Sequence, residues 1–292
     1  MRRLLLLTGQ HRTQRLNIVL GCLLAFNAGA VNAGGFLVLH MYTSHMTGFL
    51  AMLVDSMVLG QVTLMLAALA ALLFFTAGAA TTALLIHAAR RHEMRSEYAL
   101  PLAIEATLML AFGLLGGLLV NRQTPFALPL IVPLLAYIMG LQNALMSKVS
   151  SSQIRTTHMT GVITDLGMEL GKMLYWNRSV VPGLYVSANR SRLLLLGSLL
   201  GMFVLGGLYG ATGFKHVGFI CVVPLALILL LLSLPVLISD WRRYGLRQLL
   251  EMLWTRRPGA EGPALTASPG AVSATPAAAH EVQAKDANPP RS

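Results

Sequence analysis

Charged residues are scarce in this chain: they make up 11% of its 292 positions, whereas hydrophobic residues make up 55%. A soluble domain carries charge on about a quarter of its residues, so the composition argues against a soluble protein. Cysteine is also scarce. Only Cys22 and Cys221 occur, both inside apolar stretches, which predicts small packing residues and no disulfide framework.

Long apolar runs are what the chain has in quantity. Six of them are long enough for a membrane-spanning helix, which needs about 20 mostly apolar residues, and only the third contains a charged residue, Glu105. One globular core could not bury six such helices, so the sequence predicts an all-α, polytopic membrane helix bundle. The predicted spans are residues 16–39, 62–86, 99–120, 125–146, 193–214 and 217–239.

Basic residues outnumber acidic ones by 22 to 11, and their placement alternates along the chain. All but Arg122 and Lys215 lie before span one, between spans two and three, between spans four and five, or after span six. Cytoplasmic loops are enriched in Lys and Arg. The alternation therefore indicates topology rather than a nucleic-acid partner, and it predicts that both termini are cytoplasmic.

A six-residue phrase occurs twice: Thr-Ser-His-Met-Thr-Gly at residues 43–48 and Thr-Thr-His-Met-Thr-Gly at residues 156–161. We call these the first and second phrases. Their histidines, His45 and His158, are 113 residues apart. Spans one and three, shifted by that offset, fall close to spans four and six. Span two does not, which predicts a longer loop in the second half.

The repeat predicts an inverted architecture. Three spans are an odd number, so a second copy of the unit must insert upside down, as in many secondary transporters. The expected fold is six transmembrane helices arranged as two inverted three-helix repeats, each with a short broken or re-entrant helix after its His-Met-Thr-Gly motif. These short helices are predicted at residues 49–59 and 161–174. The alternative that they lie on the membrane surface stays open.

The predicted organisation is a basic cytoplasmic N-terminus, two membrane repeats, a basic cytoplasmic segment and a disordered tail rich in Pro and Ala. Their bounds are 1–15, 16–124, 125–240, 241–257 and 258–292. Glycines four residues apart within spans favour close helix contact, in the monomer or at the face of a homo-oligomer. These pairs are Gly113/Gly117, Gly197/Gly201 and Gly206/Gly210.

Amide side chains lie shortly before each phrase: Asn27 and Asn32 in span one, and Gln142 and Asn143 in span four. Polar groups are costly inside lipid, so they need partners within the protein. These amides either hydrogen-bond between helices or line a polar cavity shared by both halves. Glu105 is a candidate for proton or ion coupling, or else a neutral acid bonded to a neighbour or a side chain that snorkels towards the interface.

The phrases supply further candidates for a solute site near the midplane. Helix starts favour anions, Thr47 and Thr160 are the expected N-caps, and Arg155 adds a positive charge. The glycines let backbone approach a ligand, and the histidines can accept protons near neutral pH. The candidate solute-binding residues are Asn32, Thr43, His45, Thr47, Gly48, Gln142, Asn143, Arg155, Thr157, His158, Thr160 and Gly161.

No cofactor or metal is expected, since His40 and His45 are five residues apart and no Cys or carboxylate cluster joins them. The motifs of common hydrolases are absent from the sequence, so we expect no enzyme. An intramembrane enzyme would require an acid–base pair such as His158 with Glu105. The leading interpretation is a small transporter in the lipid bilayer; the alternative is a non-transporting scaffold, sensor or assembly partner.

Four blocks of the sequence resemble the YoaK family of bacterial integral membrane proteins, a domain of unknown function (number 1275). They are Gly-Ala-Val-Asn-Ala at 29–33, the first phrase, Gly-Leu-Gln-Asn-Ala at 140–144, and Arg155 with the second phrase. The resemblance runs from about residue 17 to residue 239 and implies an inner-membrane location with about six spans. The family usually has an Asp where Asn32 stands and an Asn where Phe49 stands, so a proton role of that Asp would not carry over.

Overall fold

The computed structural model describes residues 14–121, 127–175 and 186–245. The secondary structure of these residues consists of eight α-helices and one 3-10 turn, without strands. A 3-10 turn at Gly218–Cys221 leads into the last helix. The helices are α1 Gln14–Leu39, α2 Met46–Leu59, α3 Val62–Arg91, α4 Ala99–Asn121, α5 Ala127–Val149, α6 Met159–Leu174, α7 Arg190–His216 and α8 Val222–Tyr244. The prediction of an all-α fold is confirmed for these residues.

Five stretches in the described part of the chain are long and apolar enough, by length and composition, to cross a membrane. The helix α4 corresponds to the third predicted span, but it qualifies only as a shorter apolar helix over Ala99–Leu114. The count by this criterion is therefore five, against six predicted. The five stretches are Gln14–Leu37, Val62–Arg91, Leu130–Val149, Arg190–His216 and Gly218–Tyr244.

Helices distant in the chain make the main packing contacts: α1 packs along α7, α3 along α5, and α4 along α8. The core between them is apolar and contains Leu24, Leu102, Leu135, Met139 and Leu229. The helices α3 and α7 leave most of their apolar surface outside this core. A soluble bundle would turn polar residues outward, so these outer faces are those expected of helices in contact with lipid.

Glycine permits the close crossing of α1 and α7. A Cβ atom at Gly29 would overlap the carbonyl oxygen of Phe203, and one at Gly206 would overlap the carbonyl oxygen of Phe26. Each glycine therefore lies against the backbone of the other helix. Small residues at such points let helix backbones approach within lipid, where apolar side chains have no preference for protein over tails.

The same arrangement occurs where α3 crosses α5. Gly78 lies against the carbonyl of Tyr137, and Gly140 lies against the carbonyl of Phe75. All four glycine contacts at these two crossings use an aromatic residue followed three positions later by glycine, a pattern that sequence reasoning missed although it is visible. It occurs at residues 26–29, 75–78, 137–140 and 203–206.

The predicted glycine pairs have different surroundings. Gly206 and Gly210 both lie against the backbone of α1, and Gly113 lies against Val223 of α8. Gly197 and Gly201 face open space, with nothing in the described chain within 4 Å of an added Cβ. Close helix contact therefore accounts for the first three glycines and not for the last two.

The connection after the short helix differs in length between the halves. Gly60 and Gln61 alone separate α2 from α3, whereas α6 ends at Leu174 and α7 begins at Arg190. The longer loop predicted there lies mostly outside the described residues, at 176–185. Three other predictions lie largely outside the described residues. They concern the basic N-terminus up to residue 13, the basic segment beyond residue 245 and the disordered tail.

Candidate functional site

Each phrase begins a short helix at its histidine. His45 and His158 are the N-caps of α2 and α6, and the carbonyl of each accepts a hydrogen bond of 3.1 Å from the amide four residues on. The prediction that Thr47 and Thr160 are N-caps is wrong, because the hydrogen-bonded turn starts two residues earlier. Both threonines lie in the first turn with exposed side chains.

The glycines of the phrases make room for the imidazole rings. A Cβ atom at Gly48 would overlap the ring of His45, and one at Gly161 would overlap the ring of His158. Each ring thus folds over the first turn of its own helix. This packing is a structural reason for glycine at both positions, beside the predicted approach of a ligand.

One amide of each preceding long helix anchors a phrase. The Oδ1 atom of Asn32 accepts hydrogen bonds from the backbone N–H of Ser44 at 3.2 Å and from its hydroxyl at 3.0 Å. In the second half, the Oδ1 atom of Asn143 accepts a hydrogen bond from the hydroxyl of Thr157. Both predicted amides therefore fix the loop that leads to a short helix.

The second phrase borders a cavity of about 920 Å³. The first turn of α1, the first turn of α7 and the loop before α6 complete its wall. Its polar lining comes mainly from residues at helix starts. Among the predicted site residues, the lining contains Arg155, His158, Thr160 and Gly161.

The first phrase lies away from this cavity. Ile18 of α1 lines the cavity, and Asn32, which holds the first phrase, follows fourteen residues later on the same helix. At 1.5 Å of rise per residue, the two positions are about 21 Å apart along the axis. The two phrases therefore lie at opposite ends of α1, and the expected convergence of both at one midplane site is not found in this arrangement.

Four buried polar side chains meet between the two ends, and we call Asn27, Glu105, Gln142 and Thr156 the central cluster. The Nδ2 group of Asn27 donates to Oε1 of Glu105 at 3.0 Å and to Oε1 of Gln142 at 3.3 Å. The Nε2 group of Gln142 donates to the hydroxyl of Thr156 at 3.3 Å. No member is more than 2% exposed. The cluster joins α1, α4 and α5 to the second phrase, of which Thr156 is the first residue.

Some buried polar atoms have no hydrogen-bond partner among the described residues. Among the described residues, Oε2 of Glu105, Oδ1 of Asn27 and the hydroxyl of Thr43 receive or make no hydrogen bond. No group of three His, Cys, Asp or Glu side chains that could bind a metal occurs in the described part of the chain. Glu105 has Asn27 as its partner, so the alternative acid–base pair with His158 is not formed in this arrangement.

A charged network joins α6 to the start of α7. Glu169 forms an ion pair of 2.9 Å with Lys172 and accepts a hydrogen bond of 2.8 Å from the backbone N–H of Asn189, while Asp165 pairs with Arg192 at 3.0 Å. The Lys172 ammonium and the Asn189 N–H lower the pKa of Glu169. The charged face of α6 is thus turned inward, and its exposed apolar residues include Ile163, Met168, Leu170 and Met173.

The loop between α3 and α4 is fixed by polar contacts that sequence reasoning missed. The carboxylate of Asp240, buried near the end of α8, accepts a hydrogen bond of 2.8 Å from the backbone N–H of Ser96. Arg90 pairs with Glu97 at 2.7 Å and donates to the hydroxyl of Tyr98 at 2.6 Å. Burial is the main cause that raises the pKa of Tyr98. An acidic residue one position beyond a predicted span was the available sequence signal.

Long apolar helices with apolar outer faces and polar groups gathered between them are compatible with a multi-pass membrane protein. A family model described as "Protein of unknown function (DUF1275)" matches residues 20–234. The chain belongs to this family, and the resemblance inferred from the four sequence blocks is confirmed. Parallel comparisons with curated proteins and with solved structures found no match.

Proposed function

We propose that this protein is a six-span, inverted-repeat transporter of a small polar or anionic solute in the bacterial inner membrane. The observation that carries the proposal is the cavity beside the second phrase. Its volume of about 920 Å³ lies within the range of about 300–1,000 Å³ that is common for small-molecule sites.

The chemistry of the cavity wall favours a negatively charged group. The first turns of α6 and α7 both contribute to the wall, and helix N-termini favour anions through their free N–H groups and dipoles. Arg155 and Arg192 also line it. Arg192 is already paired with Asp165, so Arg155 is the cation that we assign to the solute.

Equivalent burial along α1 and α5 supports the repeat. The order of buried and partly buried side chains along residues 20–35 is the same as along residues 131–146. The two phrases, residues 43–48 and 156–161, also share one order of buried, partly buried and exposed positions. Because burial reflects surroundings as well as sequence, matched orders indicate that the two halves have equivalent neighbours.

Exchanged helix contacts support the inversion. The first long helix of each half packs along the second long helix of the other half, with the same glycine-to-carbonyl contacts. The phrases lie at opposite ends of α1, as an inverted pair requires. If α4 is counted as the remaining span, the basic loops all fall on the side of the cavity, which is then cytoplasmic.

A thermal-shift screen of the purified protein in detergent tests the proposal, because a ligand that binds the native state raises its melting temperature. The panel contains small carboxylates, phosphates and neutral polar metabolites. We expect a hit among the anions whose affinity falls by about tenfold or more in Arg155→Ala, a loss of about 1.4 kcal/mol. Thr160→Val should weaken the same ligand.

Matched controls come from residues that do not line the cavity. Arg95→Ala removes an exposed arginine from the α3–α4 loop, and Thr107→Val removes an exposed threonine hydroxyl from α4. Both should leave the affinity of the ligand unchanged. A hit that binds equally well to Arg155→Ala and Thr160→Val would remove the site assignment.

A non-transporting assembly partner is the second candidate, and one observation favours it. Gly197 and Gly201 are four residues apart on α7 and face open space in the described chain. Such a pair permits close approach of another membrane helix. The same screen separates the two candidates, since the second predicts no stabilisation by any solute of the panel.

A further inference from the structure

The carboxyl group of Glu105 is fully enclosed. Its side chain is 0% exposed, one hydrogen bond from Asn27 reaches Oε1, and Oε2 has no partner among the described residues. An ionised carboxylate in such surroundings loses its hydration without compensation from a cation. The group therefore needs a bound positive species or a proton.

The helices packed around α4 offer no compensating charge. Asn27 of α1 donates to the carboxyl and also to Gln142 of α5, and the buried residues of α8 near its start are apolar. The charged or titratable groups on the surrounding elements have another partner, are exposed or half-buried, or are thiols. They are Asp240 at the Ser96 N–H, Arg90 paired with Glu97, Tyr137 bonded to Thr81, the exposed Arg15, His87, Arg91, Lys148, Arg242 and Arg243, the half-buried Tyr244, and the thiols of Cys22 and Cys221.

The geometry of the amides favours a proton over a metal ion. The Nδ2 group of Asn27 points at the oxygens of both Glu105 and Gln142, and the Nε2 group of Gln142 lies against the carbonyl of Leu24 at 2.6 Å. A metal cation needs several oxygens directed at one point, whereas Oε1 of Glu105, Oε1 of Gln142 and the carbonyl of Leu24 already accept from N–H donors. A proton on Oε2 needs no such set of oxygen ligands. It converts an acceptor without a partner in the described chain into a hydrogen-bond donor.

We propose that Glu105 holds an exchangeable proton and is the coupling site of the transporter. This rests on the proposed function. It names the proton as the coupling ion and the central cluster as the place where the ion acts. The counterpart of Glu105 in α8, matched by the order of buried positions, is Leu225, so only the first half carries the proton.

The cluster provides a path from the proton to the solute cavity. Gln142 is bonded to Asn27 on one side and to Thr156 on the other, and Thr156 is followed by the rest of the second phrase, which lines the cavity. Loss of the proton leaves a buried negative charge, which is relieved when the cluster opens to water. Opening breaks the link between Gln142 and Thr156 and so releases the loop at the mouth of the cavity.

Infrared spectroscopy of the purified full chain in detergent tests for the proton directly. A protonated carboxyl has a C=O stretching band that an ionised carboxylate lacks. At neutral pH, exposed glutamates are ionised, so a carboxylic band must come from a protected group. We expect such a band in the wild type, shifted by ¹³C-labelling of glutamate and not by labelling of aspartate.

Variants assign the band to its residue. Glu105→Gln should abolish it, while Glu97→Gln should retain it, because Glu97 forms an ion pair with Arg90. A wild type without a glutamate band overturns the proposal even if Glu105→Gln does not fold. A band that survives in folded Glu105→Gln overturns it as well.

The outcomes separate this inference from the proposed function. The band requires no ligand and no transport. A band assigned to Glu105 together with no hit in the anion screen keeps the proton site and removes the transporter. A hit that depends on Arg155, without a glutamate band, keeps the solute site and removes the proton coupling.

Discussion

The two phrases have the same local structure in different surroundings. In each, a histidine caps the short helix, its ring covers a glycine, and an asparagine of the preceding long helix accepts from a hydroxyl. The second borders the cavity of about 920 Å³, and the first lies at the other end of α1. The six residues thus specify the connection between a long and a short helix. The proposed binding of a solute depends on the residues that surround this connection.

The helices that follow the phrases extend this contrast. Ser56 of α2 and Glu169 of α6 stand at equivalent distances from their histidines, and both are buried. The hydroxyl of Ser56 bonds to the backbone of its own helix, whereas Glu169 joins its helix to α7 through Asn189. At this position a charged side chain therefore holds α6 against the start of α7, whereas the hydroxyl of α2 is bonded within its own helix.

Substitution of the crossing glycines should have the largest effect. Gly78→Val and Gly206→Val each place a side chain against the backbone of a partner helix. Overpacking costs about 1–3 kcal/mol in ordinary cores, and a clash with rigid backbone belongs at or above the upper limit. If the halves are equivalent, both variants should lose nearly all folded protein in size-exclusion chromatography.

The control for this prediction is Gly197→Val, since nothing in the described chain lies within 4 Å of a Cβ there. It should behave like the wild type as a monomer. Tolerance of one crossing substitution and not of the other would show that the two halves are packed differently.

Removal of the anchoring amides should have an intermediate effect. Asn32→Ala and Asn143→Ala each leave a phrase without its acceptor, and an unsatisfied polar group costs about 1–3 kcal/mol. The two losses of melting temperature should be similar. Only Asn143→Ala should also weaken a ligand of the cavity, because Asn143 holds the loop beside it.

A double-mutant cycle checks that the loss comes from the hydrogen bond. Thr157→Val should cost little more once Asn143→Ala is present. Full additivity of the two substitutions would contradict the bond, and a ligand weakened equally by Asn32→Ala would mean that both phrases serve one site.

Acidification should lower the stability of the second half through protonation of Glu169. The effect should be smaller than that of the substitutions above. Its pKa is lowered by Lys172 and by the Asn189 N–H, so its contribution is complete above the pKa of the unfolded chain and is lost as the pH falls through the folded value. Wild-type melting temperature should therefore fall more steeply on acidification than that of Glu169→Gln.

Asp55→Asn provides the matched control, because it changes an exposed acid on α2. Its melting temperature should follow the wild type at every pH. Parallel pH profiles for the wild type and Glu169→Gln would mean that the ion pair does not fasten α6.

Helix positions were predictable because each depends on a local property of the sequence. Apolar runs of span length gave α1, α3, α5, α7 and α8 to within a few residues at most ends. The N-cap residues were not predictable, since threonine and histidine can both precede a helix. Which of them is the N-cap depends on where the first hydrogen bond of the helix forms. The equivalence of α3 and α7 was not predictable either. Gly78 and Gly206 are 128 residues apart, so a search at the 113-residue offset of the phrases does not align them.

The candidate site was only partly predictable. The importance of Asn27, Glu105 and Gln142 followed from polarity within apolar runs, and these three do meet. Thr156 and Arg192 gave no comparable signal, because both lie outside the predicted spans, in polar stretches of the sequence where such residues are ordinary. Their roles follow from the neighbours that α5 and α7 bring to them.

The sequence by itself determined the class of protein, the helices and the residues with chemistry, because hydrophobic length and the cost of polar groups in lipid are properties of short segments. The tertiary structure decided which phrase borders the cavity and which amide meets Glu105. Asn27 and Glu105 are 78 positions apart, and the cavity brings Ile18 and Arg192, 174 positions apart, into one wall. These relations arise where glycine lets helix backbones cross, and the outcome of that packing is not encoded at any one position.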